Sequence, residues 1–142
     1  LAERLVPLCR VVTPNIPEAE ALSGLSIHSR AGMLRAAQAL HARFGTAVLV
    51  KGGHLPDCAD DLLYENGAET WFCAERINNP NTHGTGCTLS SAVACGLAAG
   101  MELRDSVRAA KEYLAGALRA GLDLGHGAGP LNHMYGMNSD AQ

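Results

Sequence analysis

Short apolar runs alternate with amphipathic stretches along this chain, and the residues between them mark where elements begin and end. Cys9-Arg10-Val11-Val12-Thr13 reads as a short buried strand that Pro14 stops. Asn15 then caps a short helix from Pro17 to about Leu22, with Glu18 and Glu20 near its start and Gly24 closing it. Ser29 caps a second helix in which Met33, Ala37, Leu40 and Phe44 fall on one face, and Gly45 ends it. Thr46 to Lys51 is a continuous apolar strand of the kind buried in a parallel sheet, ending at Gly52-Gly53.

Asp61 to Glu65 and Glu69 to Ala74 read as two more strands, joined across Asn66-Gly67, a dipeptide that favours an antiparallel hairpin. A loop rich in Asn, Pro and Gly follows, then a helix of small apolar residues after Cys87. An amphipathic helix from about Leu103 to Arg119 comes next, and then a glycine-rich tail. Glu3 to Leu8, ahead of the first strand, reads as the end of a helix or an entering loop. The order β-α-α-β-β-β-α-α predicts an α/β layered domain whose helices cover a mostly parallel sheet.

Composition narrows the function classes. With 142 residues, 47% hydrophobic and 18% charged, the chain is one globular domain or part of one. A net charge of −3 leaves no basic footprint for nucleic acid or a membrane surface. The longest apolar run falls far short of a membrane span. The cysteines Cys9, Cys58, Cys73, Cys87 and Cys95 form an odd set without a CxxC pair, which points to a reducing cytoplasm. Neither they nor the histidines gather at the spacing of a structural zinc site. Leu1 is not an initiator methionine, so the natural polypeptide is expected to begin upstream.

Three features carry candidate chemistry. The first is Gly84-Thr85-Gly86-Cys87, which opens a helix. A helix's first amides lack intrahelical acceptors, its dipole favours anions there, and glycine lets a ligand approach the backbone. That setting suits a phosphate and favours a thiolate, although such loops also serve as plain tight turns. Neither a P-loop nor a dinucleotide fingerprint is present. The second is Lys111, about 40° around the last helix from Val107 and so inside the apolar stripe of Val107, Ala110, Leu114 and Leu118. A lysine there either snorkels to the edge or meets an anion. The third is Asn15 with Glu18, beyond a strand end. The pair acts as cap and dipole partner, or holds water around a magnesium ion. Lys51 ends the other long strand and is a natural phosphate neighbour if the two strands run parallel. His54, His83, His126 and His133 read as isolated polar loop residues, and Trp71 and Phe72 as packing.

Together Thr13-Pro14-Asn15-Ile16-Pro17-Glu18-Ala19-Glu20, Val48-Leu49-Val50-Lys51-Gly52-Gly53-His54 and Asn78-Asn79-Pro80-Asn81-Thr82-His83-Gly84-Thr85-Gly86-Cys87-Thr88 resemble the ribokinase-like superfamily. Within it the chain is similar to the hydroxymethylpyrimidine/phosphomethylpyrimidine kinases of thiamine biosynthesis. Cysteine at the anion hole, where the superfamily usually has aspartate, is typical of these enzymes and of some pyridoxal kinases. The resemblance implies a three-layer fold of which residues 1–142 form the C-terminal, nucleotide-binding and catalytic half. It implies that Gly84, Thr85 and Gly86 form the anion hole and that Cys87 acts as base or proton relay. Lys51, Lys111 and Thr82 would lie near the nucleotide, and Asn15 and Glu18 would organise magnesium. ATP, Mg²⁺ and a small pyrimidine alcohol are the implied ligands. A homo-oligomer, or completion by an N-terminal half, would supply the rest of the substrate pocket. Pyridoxal kinase and an inactive nucleotide-binding fragment are the alternatives.

Overall fold

The computed structural model of the chain describes residues 2–53, 60–73, 84–120, 122 and 129–137. The chain divides into two compact units, Leu1–Arg76 and Ile77–Gln142.

In the first unit, helix α1 (Ala2–Leu5) runs through a 3₁₀ turn at Val6–Leu8 into strand β1 (Val11–Val12). Helices α2 (Ile16–Ser23) and α3 (Arg30–Phe44) follow, then β2 (Ala47–Val50), β3 (Asp61–Glu65) and β4 (Ala68–Phe72). The strands form one sheet in the order β1-β2-β3-β4. β1 lies parallel to β2, with Val11 opposite Ala47. β2 and β3 are antiparallel, with Val50 opposite Leu62. The β3–β4 hairpin turns at Asn66 and Gly67, both at positive φ (51° and 82°), as a tight primed turn requires.

The sheet is therefore mixed, not mostly parallel as expected. Among its described pairings only β1–β2 is parallel. The four buried residues of β2 report burial on both faces, and that property does not specify the direction of a neighbouring strand. β1 is also shorter than the sequence suggests, although an isolated parallel bridge between Asn15 and Lys51 extends its pairing.

Local chemistry sets the helix ends. Asn15 Oδ1 accepts the Glu18 amide and Glu18 Oε2 accepts the Asn15 amide, both at 2.8 Å, a reciprocal capping box at the start of α2. Ser29 Oγ accepts the Gly32 amide at 3.2 Å and starts α3. Gly24 and Gly45 end these helices in the left-handed conformation. Met33, Ala37, Leu40 and Phe44 all face inward, packed in one cluster with Val48, Val50 and Leu62.

The second unit contains α4 (Thr85–Ala98) and α5 (Leu103–Ala120). Leu89 and Val93 are buried on α4, and Leu103, Val107, Ala110 and Ala117 on α5. The two helices approach closely where Gly96 meets Ser106. A Cβ on Gly96 would come within 2.8 Å of Ser106 Oγ, which donates to the Glu102 carbonyl at 3.0 Å. Beyond α5, Leu131 is buried and Tyr135 lies over Gly116. No described helix is long and apolar enough to cross a membrane.

Gly52, just past β2, is packed more tightly than any cap. A Cβ there would stand 1.9 Å from the Asp60 carbonyl oxygen and 3.2 Å from Met33 Cε. Backbone on one side cannot rotate away as a flexible side chain would. Gly52→Ala is therefore expected to cost about 3 kcal/mol or more, read as a lowered urea midpoint with an unchanged slope. A midpoint within error of wild type would show that the loop yields.

Candidate functional site

Two sets of predicted residues come together, one in each unit. In the first unit Asn15, Glu18 and Lys51 meet at one end of the sheet. The Lys51 amide donates to the Pro14 carbonyl at 2.9 Å, and Lys51 pairs with Asn15 in the parallel bridge. The parallel alignment of β1 and β2 thus brings both strand ends to the same edge, as reasoned from sequence. In open α/β sheets that edge is where ligands bind. Lys51 is half-buried and Glu18 exposed. The capping role of Asn15 and Glu18 is realised directly, since each side chain holds the other's amide. An exposed carboxylate with one oxygen engaged suits a hydrated hard cation better than a closed protein cage.

In the second unit Gly84, Thr85, Gly86 and Cys87 form the start of α4. Gly84 is the N-cap at φ 84°, a conformation that favours glycine, and it has no side chain to turn back onto the helix. The first helical bond runs from the Thr88 amide to the Gly84 carbonyl at 2.9 Å, so the amides of the opening turn have no intrahelical acceptor. Helices α2 and α3 cover the same groups with Asn15 and Ser29. Cys87 is in that opening turn and is exposed.

Cys87 also lines a cavity of about 610 Å³ between α4 and α5. Ser91 and Cys95 continue one wall along α4, and Ala110, Tyr113 and His133 form the other. Lys111 is half-buried next to Ala110 on α5 and is not among the lining residues. Thr82, together with His83, His54, His126 and Asn78 to Asn81, lies outside the described residues.

Three contacts were not foreseen in the sequence, among them one at His133, read there as an isolated polar loop residue. The buried Asp61 accepts the Gly52 amide through Oδ1 at 2.9 Å. His133 stands stacked beside Tyr113 with centroids 6.4 Å apart, and its carbonyl accepts the Tyr113 hydroxyl at 3.0 Å. Trp71 packs as expected, but beneath the Arg30 guanidinium at 4.2 Å, an arrangement that periodicity alone does not signal.

The sequence pattern of the phosphomethylpyrimidine kinase family matches residues 1–132. Among curated proteins, the hydroxymethylpyrimidine/phosphomethylpyrimidine kinase of Streptomyces coelicolor is 48% identical, over 94% of this chain and 50% of its own length. Among solved structures, Bacillus subtilis pyridoxal kinase in an ADP complex superposes with a TM-score of 0.88 at 37% identity, covering 98% of this chain and 53% of that one. Staphylococcus aureus pyridoxal kinase in complex with AMP-PCP gives a TM-score of 0.88 at 30% identity, covering 99% of this chain and 52% of that one. The chain spans about half the length of the hydroxymethylpyrimidine/phosphomethylpyrimidine kinases it matches. With cysteine following an uncapped glycine turn, and with this match over most of its residues, the chain belongs to the phosphomethylpyrimidine kinase family.

Proposed function

We propose that this chain is the nucleotide-binding and catalytic half of an ATP-dependent kinase with a three-layer ribokinase-like domain. Its substrates are 4-amino-5-hydroxymethyl-2-methylpyrimidine and then the monophosphate, in cytoplasmic thiamine biosynthesis. The observation that carries this reading is the uncapped glycine start of α4 with an exposed cysteine in its first turn. The 48% identity to a hydroxymethylpyrimidine/phosphomethylpyrimidine kinase supports the substrate. The likeness to pyridoxal kinases favours pyridoxal as the second reading.

Phosphoryl transfer asks mainly for positioning and charge stabilisation. The backbone of Gly84, Thr85 and Gly86 receives the equatorial oxygens of the transferring group at the start of α4, where the helix dipole favours an anion. The substrate hydroxymethyl oxygen bonds to the γ-phosphorus as the bond to the ADP oxygen breaks, and Cys87 takes up or relays the hydroxyl proton. An exposed thiol beside an open cavity fits that task, because the alcohol needs an unobstructed approach. Lys51, Lys111 and Thr82 serve the nucleotide phosphates, with Lys51 fixed through its backbone to the end of β1. A magnesium ion would neutralise phosphate charge, held through water by Asn15 and Glu18. In a homo-oligomer, or with a complementary half, further residues would contact the pyrimidine.

The direct test is a mass-spectrometric product assay with Mg-ATP and either hydroxymethylpyrimidine or pyridoxal. Mono- and diphosphorylated pyrimidine are expected. Phosphorylated pyridoxal in their place would favour the second reading, and nucleotide binding without either product would identify a binding module. Cys87→Ala should lower turnover by roughly 10²–10⁴-fold while Mg-ATP affinity stays within about twofold. Turnover at the wild-type rate would remove Cys87 from the mechanism. Lys111→Met should weaken Mg-ATP by about tenfold with little change in thermal midpoint. Unchanged affinity would assign Lys111 to packing.

A further inference from the structure

The Lys51–Gly53 turn is held at successive residues by different parts of the first unit. The antiparallel ladder between β2 and β3 ends at Val50 opposite Leu62. At the next residue the chain turns to the other neighbour, and the Lys51 amide donates to the Pro14 carbonyl. One residue later the Gly52 amide meets no strand partner and donates instead to Asp61 Oδ1 at 2.9 Å. Asp61 is 7% exposed, so this is a buried charge-assisted bond.

The neighbouring residue reinforces the arrangement. Asp60 presses its carbonyl against Gly52 at a distance that excludes any Cβ. The Asp60 carboxylate pairs with Arg30 at 3.3 Å, and the same guanidinium lies 4.2 Å over the Trp71 ring. Helix α3 and strand β4 thereby fix the start of β3, and β3 fixes the turn that follows Lys51.

We propose that Asp61 is a positioning residue for nucleotide binding. It locks the Gly52 amide so that the Lys51 backbone, and with it the origin of the Lys51 side chain, stays fixed at the sheet edge for an anionic phosphate. This rests on the kinase reading given above. Asp61 itself touches no phosphate, since its carboxylate would repel one. It acts through the backbone on which Lys51 is mounted. Fixing a cation before the ligand arrives reduces the ordering that binding would otherwise require.

The test compares Asp61→Ala, which removes the acceptor, with Asp61→Asn, which keeps an oxygen for the Gly52 amide. Two readouts are used, amide hydrogen exchange at Gly52 and Mg-ATP affinity of the full chain. Leu40→Ala in the core of α3 controls for general destabilisation. The expected result is faster Gly52 exchange and about tenfold weaker Mg-ATP binding in Asp61→Ala. Asp61→Asn should recover most of both, and Leu40→Ala should lower the thermal midpoint with affinity unchanged. Wild-type affinity in Asp61→Ala would overturn the positioning role, as would an equal loss in Leu40→Ala. No Mg-ATP binding by the wild-type chain would overturn the kinase reading itself, while the exchange data would still show whether Asp61 holds the turn.

Discussion

Every α-helix begins with amides that its own geometry leaves without acceptors, and this chain meets that constraint in two ways. Helices α2 and α3 close their starts with side chains, Asn15 in a reciprocal box with Glu18 and Ser29 alone. Helix α4 starts at a glycine with left-handed backbone and no side-chain cap. The start of α4 thus differs from those of α2 and α3 in having no side chain turned back onto its opening turn. Cys87 stands exposed in that same turn.

The first unit shows a related economy at the end of β2. A fully buried strand can present a charged residue only where its ladder stops, and Lys51 is the first residue past that point. Its amide is satisfied by Pro14, the next amide by Asp61, and the close packing against Asp60 leaves room only for glycine. The lysine is therefore mounted on satisfied, tightly packed backbone. Such mounting limits the freedom lost when a cation meets its ligand.

What the sequence disclosed and what it concealed separate by range. The caps at Asn15 and Ser29, the glycine stops and the Asn66-Gly67 turn depend on neighbours a few residues apart, and each was legible. So was the inward face of α3, because helical periodicity carries it. The antiparallel direction of β3 against β2 was not legible, since an apolar run is equally suited to either neighbour. Asp61 on the Gly52 amide, and Tyr113 with His133, join residues brought together only by folding. That Gly84 to Cys87 open a helix could be read from the sequence, but the cavity beside them needs two helices and a later segment to exist.

The central claim is that the start of α4 receives phosphate oxygens on its backbone. The most direct measurement is an amide ¹⁵N–¹H titration of the chain with Mg-AMP-PCP, following the opening turns of α3 and α4. The account predicts saturable shifts at Gly84, Thr85, Gly86 and Cys87, with Gly32 unmoved because Ser29 already occupies its amide. Saturable shifts that bypass Gly84 to Cys87 would contradict it.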